Sequence, residues 1–117
     1  KSVRSFIGAK DFSESCNFYK DLGFKEVTIS DNMSYFKIDE KLGFYLQKAF
    51  VKDWVDNSML FLEVDDIEAY LKKIEALDLL SKYKKCRLSK ILNNDWGREF
   101  FLHDPSGILW HIGCFNY

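Results

Sequence analysis

The chain contains an internal repeat, and this repeat constrains its fold more than any other feature. Sliding the first half along the sequence by 55 positions places Asp11 on Asp66 and Leu22 on Leu77. Each copy begins with a short apolar strand, passes through an acidic helix start and continues into strands separated by turn formers. Two copies with one offset predict a pseudo-symmetric protein in which each module has the order βαβββ.

A turn followed by a strand marks the end of the second module. In the segment 104–107, Asp104 caps the entry, Pro105 presets φ at the second turn position and a glycine closes the exit. The strand that follows contains His111, one of only two histidines in the chain. A similar strand in the first module places Gln47 opposite His111. Polar side chains at matched positions predict a pseudo-symmetric pocket.

Hydrophobic periodicity and turn formers divide each module into one helix and four strands. In module one (1–48) we predict strands over 3–9, 24–29, 34–38 and 43–48, and a helix over 13–21. In module two (59–117) we predict strands over 59–64, 87–92, 98–103 and 108–114, and a helix over 67–77. Residues 49–58 form a connector. Because a helix covers only one face of each sheet, we predict a single α+β domain whose two modules form curved mixed sheets around a cavity.

Alternation along the predicted strands separates a helix-facing set of side chains from a cavity-facing set. Ile7, Leu62 and Ile112 belong to the helix-facing set. The opposite set turns toward a cavity that forms within one chain or between two. Its predicted members are Arg4, Phe6, Tyr45, Gln47, Met59, Phe61, Glu63, Leu109 and His111.

The three tryptophans have different predicted roles. Trp54 in the connector and Trp96 before the penultimate strand lie in loops, where aromatic side chains reach the mouth of a cavity and stack on flat ligands. Trp110 falls in the helix-facing register and is predicted to pack in the core. The predicted ligand-binding set is Arg4, Tyr45, Gln47, Trp54, Met59, Phe61, Glu63, Trp96 and His111.

His111 and Arg4 each have two interpretations. His111 orients a ligand or acts as a general base, or it is a pocket histidine satisfied by a neighbour such as Tyr45. Arg4 pairs with an anionic group of the ligand, or with Glu63 across adjoining strands of the two modules, because a buried arginine needs a partner. His103, beside the turn, is predicted to be a rim residue rather than a catalyst.

Charge balance and cysteine content limit the partners and the compartment. Seventeen basic and eighteen acidic residues give a net charge of -1, which offers no footprint for nucleic acid or for an anionic membrane surface. No apolar run reaches the roughly 18 residues of a membrane span, and the N-terminus lacks a signal-peptide core. Three widely spaced cysteines fit neither a disulfide framework nor a zinc motif. We therefore expect a cytoplasmic protein with reduced thiols.

Three motifs in a fixed order give the chain a family resemblance. They are the segments 17–24 (NFYKDLGF) and 62–66 (LEVDD), and Trp96-Gly97 leading to the turn at 104–107. With these motifs on a repeated βαβββ plan, the chain resembles the vicinal oxygen chelate superfamily of glyoxalases, bleomycin resistance proteins and extradiol dioxygenases. The resemblance covers nearly all 117 residues and implies the glyoxalase/bleomycin resistance fold.

The resemblance also implies where a metal would bind. Metal-dependent members have His or Glu at four places, which fall here on Arg4, Gln47, Met59 and His111. Only His111 is a good ligand, because Arg is permanently charged, Gln is a weak neutral donor and the Met thioether prefers soft copper. We therefore expect no metal and no other cofactor.

These departures match the metal-free branch of the superfamily, in which bleomycin resistance proteins act as dimeric binding boxes. The resemblance implies a homodimer that sequesters a small aromatic or drug-like compound. Neutral overall charge and an inward Arg4 argue against the cationic drug bleomycin itself. The alternatives are a glyoxalase I-like lyase or isomerase or a dioxygenase-like metalloenzyme with atypical ligands, a metal-free catalyst that uses His111, or a filled pocket that only mediates association.

Overall fold

The computed structural model describes residues 1–116. Its helices are α1 (Phe12–Asp21), α2 (Lys52–Asp56), α3 (Ile67–Ala76) and α4 (Leu79–Lys82). Its strands are β1 (Phe6–Gly8), β2 (Lys25–Ser30), β3 (Met33–Lys37), β4 (Gly43–Gln47), β5 (Met59–Glu63), β6 (Arg87–Leu88), β7 (Leu92–Asn93), β8 (Gly97–His103) and β9 (Leu109–Phe115). Residue 117, the last of predicted module two, lies outside the described residues. Across residues 1–116, no helix combines the length and the apolar character that crossing a membrane requires.

Helices α1 and α3 are the repeated helices, and both start at an aspartate cap. Asp11 accepts a hydrogen bond from the backbone N–H of Glu14 at 3.1 Å, and Asp66 accepts one from Ala69 at 3.0 Å. Each helix has 10 residues, and their ends are related by the predicted offset. Gly23 follows α1 with a φ of 97°, as expected of a glycine that ends a helix. The structure therefore follows the repeat seen in the sequence.

The strands form two separate mixed sheets. The first has the order β1-β4-β3-β2, and the second has the order β5-β9-β8-β6 with β7 also paired to β8. In each sheet the first strand of the module pairs in parallel with the last, and the other pairs are antiparallel. The predicted α+β architecture of two βαβββ modules is confirmed.

The two sheets share one core, and this arrangement decides where their other faces point. The rings of Phe44 on β4 and Trp110 on β9 lie 5.3 Å apart, and Tyr19 of α1 packs against both. Phe44 and Trp110 are buried, whereas the next residues, Tyr45 and His111, are half-buried. Because side chains alternate along a strand, the faces with Tyr45 and His111 point away from the shared core. Within residues 1–116 of one chain, these two faces do not enclose a common cavity.

The predicted turn at 104–107 holds the last strand against α1. Oδ1 of Asp104 accepts hydrogen bonds from the backbone N–H groups of residues 106–108 at 2.8–2.9 Å. Its Oδ2 accepts the hydroxyl of Tyr19 at 2.6 Å, and this hydroxyl in turn accepts from Nε1 of Trp110 at 3.0 Å. All three side chains are buried. The turn therefore contributes both the chain reversal and a polar link between the modules.

Two short helices and one divided strand depart from the predicted element order. Helix α2 lies inside the predicted connector, and α4 follows α3 where no element was predicted. The strand predicted over 87–92 is divided into β6 and β7, because the hydroxyl of Ser89 accepts the backbone N–H of Phe101 at 2.8 Å in place of a backbone acceptor. Trp110 packs in the core as predicted, and the three cysteines are free.

Candidate functional site

Each sheet has an open face opposite the shared core, and most of the predicted site residues lie on these two faces. The module-one face is formed by Arg4, Phe6, Tyr35, Tyr45 and Gln47. The module-two face is formed by Met59, Phe61, Glu99, Phe101 and His111.

On the module-one face an arginine lies against a set of stacked aromatic rings. Phe6 stacks on Tyr45 with ring centroids 4.7 Å apart, and Tyr35 packs beside Tyr45 at 5.3 Å. The guanidinium carbon of Arg4 lies 4.2 Å from the centre of the Tyr35 ring. Nη1 of Arg4 also donates to the hydroxyl of Tyr45 at 3.1 Å. The polar chemistry of this face is therefore cationic.

On the module-two face a histidine occupies the corresponding place. Phe61 stacks nearly parallel to His111, with centroids 6.2 Å apart and an interplanar angle of 17°. Phe101 meets the His111 ring edge-on at 5.0 Å. The Sδ atom of Met59 lies 3.2 Å from Nε2 of His111.

Strand register corrects the predicted equivalence between the modules. Phe6 pairs with Tyr45, and Phe61 pairs with His111. Because the 55-residue offset relates Phe6 to Phe61, the counterpart of His111 is Tyr45 and not Gln47. The match based on the turns was wrong by two residues. Because side chains alternate, Gln47 and Tyr45 lie on the same face, but Tyr45 is the residue equivalent to His111. The Arg4–Tyr45 and Met59–His111 contacts occupy equivalent places.

Glu99 is a site residue that the sequence reasoning missed. Its Oε1 lies 2.7 Å from Nδ1 of His111, and its Oε2 accepts from the side-chain amide of Asn94 at 2.8 Å. Glu99 is only 8% exposed. Alternation along the predicted strand over 98–103 places Glu99 on the face of Phe101, so the same period-two argument would have found it. The neighbour that satisfies His111 is therefore Glu99 and not Tyr45.

Glycine at position 113 makes room for this carboxylate. Gly113 pairs with Glu99 across the strands. An added Cβ at Gly113 would lie 2.7 Å from the carbonyl oxygen of Arg98 and 3.0 Å from the ring of Phe61. The equivalent position in module one is Gln47, where a full side chain fits.

The two loop tryptophans have different surroundings. Trp96 packs 5.7 Å from Phe61 and 5.2 Å from Phe115, so it extends the aromatic surface of the module-two face. Trp54 is half-buried against the core, and its ring fills the space beside Gly8. The structure brings Trp96 to the predicted site residues and places Trp54 in a packing position on α2.

Arg4 and Glu63 do not form the predicted internal ion pair. Among residues 1–116, the hydrogen-bond partners of Arg4 are Ser2 and Tyr45, and no ion pair joins it to Glu63. Arg4 lies just before β1 and Glu63 ends β5, and these two strands belong to different sheets. Glu63 lies on the module-two side, two residues after Phe61.

The residues present do not fit a glyoxalase-type metal. The donor set at the four family positions, corrected for register, is Arg4, Tyr45, Met59 and His111, of which His111 alone is a strong neutral ligand for a hard divalent ion. Within residues 1–116, no group of three or more His, Cys, Asp or Glu side chains converges to hold a metal ion. His111 has one carboxylate neighbour, Glu99, which bonds to its ring.

Burial shifts the pKa values of two cysteines and of the second histidine. Burial raises the pKa of Cys16 and of Cys86 to about 12, which keeps both thiols protonated and weakly nucleophilic. The predicted rim residue His103 is half-buried on β8, and burial, together with the charge of Arg87, lowers its pKa.

Two larger recesses lie away from both open faces. One of about 370 Å³ lies between α3, α4 and β6, and the other, of about 800 Å³, lies beside the start of α1 and is bordered by several lysines. None of the predicted site residues lines either recess. In the part of the chain that the structure describes, the predicted site is instead two open surfaces, each without a second wall.

The chain belongs to the glyoxalase/bleomycin resistance protein/dioxygenase superfamily, whose family model matches residues 3–112. Its fold is similar to that of a bleomycin-binding protein solved with bleomycin (17% identity, TM-score 0.82, 99% of each chain covered). It is also similar to a bleomycin resistance determinant encoded on the transposon Tn5 (17%, 0.81, 100% of each chain). A lactoylglutathione lyase from Agrobacterium tumefaciens aligns with 16% identity and a TM-score of 0.74, over 97% of this chain and 93% of that one. No curated protein sequence matches the chain significantly.

Proposed function

We propose that the protein is a homodimeric binding protein for small, flat organic molecules, in which the module-one face of one protomer covers the module-two face of its partner. The observation that carries the proposal is the outward direction of both aromatic faces. Each face is half of a cleft, and a two-fold dimer would pair unlike halves twice, giving two equivalent clefts.

The exposed aromatic side chains support this arrangement. Phe6 is 48% exposed, Phe61 43% and Phe115 40%, although all three lie in ordered strands beside other rings. Contiguous apolar surface of this kind marks an interaction or ligand-binding site. Stacked rings with a few polar groups are the usual lining of a site for flat ligands. The similar bleomycin-binding protein was solved with bleomycin, which supports a small-molecule-binding role for a protein of this fold.

In this proposal the ligand is bound by side chains alone, without a metal ion. Arg4 offers a cation with unused N–H donors, and His111 offers a ring nitrogen. Neither arrangement resembles a cage for a hard cation. Free cysteines suit a reducing compartment, so we further propose that the protein works in the cytoplasm as one domain with modules 1–48 and 59–117 joined by residues 49–58.

A complementation experiment tests the shared cleft. A panel of neutral, cationic and anionic flat aromatics (7-methoxycoumarin, proflavine and 1-naphthoate) is first titrated against the wild-type protein by fluorescence. The tightest binder is then titrated against Tyr45→Ala, Phe61→Ala and a co-refolded equal mixture of the two. Each variant alone has a damaged wall in every cleft. In the mixture about half of the dimers are mixed, and each of these has one undamaged cleft, so about a quarter of the sites recover.

The control for this experiment is co-refolding of each variant with itself, which should recover no sites. Sedimentation equilibrium measures the oligomeric state of every sample. A monomeric wild-type protein, or a mixture that binds no better than the separate variants, would contradict the shared cleft. Absence of binding across the whole panel would contradict the binding function.

A further inference from the structure

We propose that the module-two face selects flat aromatic compounds that carry a hydroxyl group, and that this hydroxyl donates a hydrogen bond to Nε2 of His111. The inference rests on the proposed function, since it concerns the same cleft, and it adds the chemical class of the ligand. Three features of the face carry it: a fixed proton position, a weak cover over Nε2 and an aromatic surround.

Glu99 decides which nitrogen of His111 carries the proton in the neutral ring. An ionised carboxylate only accepts hydrogen bonds, so Oε1 of Glu99 at 2.7 Å from Nδ1 requires the proton on Nδ1. Asn94 donates to the other carboxylate oxygen at 2.8 Å and holds Glu99 in place. A carboxylate behind one imidazole nitrogen fixes the tautomer and makes the opposite nitrogen a better acceptor. Nε2 is therefore the acceptor that this face presents.

Met59 covers Nε2 without satisfying it in that tautomer. Its Sδ lies 3.2 Å from Nε2, but a thioether has no proton to donate. Within the described residues, Nε2 of His111 has no other hydrogen-bond partner. Met59 is 64% exposed, and its unbranched side chain moves aside at little cost. A hydroxyl that displaced this sulfur would give Nε2 the donor it lacks.

The rings around His111 define the shape of what can reach Nε2. Phe61 lies nearly parallel to the imidazole, Phe101 stands edge-on to it, and Trp96 and Phe115 continue the surface on the far side of Phe61. A flat ring lying on Phe61 keeps this apolar surface out of water while its edge points to Nε2. One acceptor at the edge of an aromatic floor is complementary to a ring with one donor, which is a phenol.

The equivalent place on the module-one face has a different character. There the Tyr45 hydroxyl already accepts from Nη1 of Arg4 at 3.1 Å, and the guanidinium lies over Tyr35. If this face chose the ligand, an anionic aromatic would bind best, because Arg4 would supply charge-assisted donors. Hydroxyl and carboxylate ligands therefore discriminate between selection by His111 and selection by Arg4.

A matched pair of ligands tests the hydroxyl directly. We expect 7-hydroxycoumarin to bind the wild-type dimer about ten-fold more tightly than 7-methoxycoumarin, since the hydroxyl donates a hydrogen bond and the methoxy group, one methyl larger, does not. Affinities are measured by fluorescence titration at pH 7.5, where an ordinary imidazole is neutral, with 1-naphthoate as the anionic arm. The His111→Phe variant keeps a ring at this position and should bring the two coumarins to equal affinity.

Two further variants separate the role of Glu99 from general damage. Glu99→Gln keeps the side-chain shape, removes the charge behind Nδ1 and should reduce the ten-fold preference to about three-fold. It also replaces His111→Phe as the test if that variant fails to fold. Glu75→Gln makes the same substitution at an exposed position of α3, away from the face, and should leave the preference unchanged.

Each remaining outcome decides the proposal. Equal affinity of the two coumarins for the wild-type protein overturns the hydroxyl class while leaving the binding function intact. So does a full preference in a folded His111→Phe variant or, if that variant does not fold, in Glu99→Gln. Tighter binding of 1-naphthoate that is lost in Arg4→Gln overturns it in favour of an anionic ligand. Failure of every compound in the panel to bind removes the proposed function as well.

Discussion

The two open faces have one geometry and two chemistries. On each, an aromatic residue of the first strand stacks on a ring of the last strand, a third ring packs from the neighbouring strand, and one more side chain lies over the set. In module one these are Phe6, Tyr45, Tyr35 and Arg4. In module two they are Phe61, His111, Phe101 and Met59.

The two faces share the packing of their rings, which the fold determines, and differ in the polar groups that a ligand would meet. The rings stack in both modules because the strands are in the same register, which the repeat preserves. The polar groups differ because the module-one hydroxyl is already bonded to a cation, whereas the module-two imidazole is backed by a buried carboxylate. A pocket built from one face of each kind would recognise a ligand by two unlike walls.

We expect the largest losses of stability from substitutions in the core that the two sheets share, and smaller losses from substitutions on the open faces. Phe44 and Trp110 are equivalent buried residues whose rings touch, so replacing either with Ala should lower the free energy of unfolding by about 3–5 kcal/mol. Tyr45→Ala and His111→Ala, one position further along each strand, should cost at most about 1 kcal/mol in the isolated protomer. Urea denaturation at a protein concentration low enough to keep the chain monomeric measures the unfolding free energy of all four variants. Equal costs for buried and open positions would show that the open faces are part of the fold.

A second prediction compares the turn aspartates of the modules by their response to pH. Asp39 is exposed and accepts two backbone N–H groups at 2.8 Å, whereas Asp104 is buried. Burial raises the pKa of Asp104 to about 6, although the Tyr19 hydroxyl and the backbone N–H groups act to lower it. The folded protein therefore takes up a proton near pH 6, while the unfolded chain does so only near pH 4. The unfolding free energy should rise as pH falls through this window.

The expected gain from Asp104 is at most about 3 kcal/mol between pH 7 and pH 4, because a raised carboxyl pKa makes the folded state bind the proton more tightly. Asp104→Asn should remove this component, and Asp39→Asn should leave it in place. Urea midpoints at half-unit pH steps measure it. An Asp104→Asn profile parallel to that of the wild type would show that the buried carboxyl does not titrate there.

The sequence predicted much of this architecture and little of its orientation. The offset of 55, the aspartate caps and the alternation through Ile7, Leu62 and Ile112 follow from local periodicity, so the helices, strands and faces were predictable. The outward direction of the faces depends on the contact between Phe44 and Trp110, which are far apart in sequence and carry no local signal of their pairing.

For the candidate site, the sequence predicted which face each strand residue occupies but not which residues are paired across strands. Faces are set by a period of two, so Tyr45, Phe61 and His111 lie opposite the helices as the alternation predicts. Arg4 precedes β1, which begins at Phe6 and not at residue 3 as predicted, and it reaches the face through its contacts with Tyr35 and Tyr45. Register between strands is set by turn and bulge geometry, and a two-residue error there exchanged Tyr45 for Gln47 as the counterpart of His111. Helix α2 depends on Val55 packing into the core, which a connector composition does not reveal.

A third prediction tests whether the position opposite Glu99 on the module-two face must be a glycine. Gly113→Ala should lower the unfolding free energy by about 1–3 kcal/mol, because the new methyl group meets the Arg98 carbonyl and the Phe61 ring. Gln47→Ala at the equivalent position should cost at most about 0.5 kcal/mol. Thermal and urea unfolding compare the two variants. If Gly113→Ala is as mild as Gln47→Ala, the close approach between β8 and β9 does not restrict that position.

The smallest expected effect concerns the side chains that lie over the two sets of rings. Arg4→Gln removes a cation over Tyr35 and a donor to Tyr45, and since Arg4 is exposed its loss should cost about 0.5–1 kcal/mol. Met59→Ala on the other face removes a weak contact with Nε2 and should be nearly neutral for stability, while it opens that nitrogen to solvent. Urea denaturation and proton NMR of the His111 ring compare the two. Larger destabilisation by Met59→Ala than by Arg4→Gln would mean that the thioether is a structural partner of His111, and that a ligand must compete with it to reach Nε2.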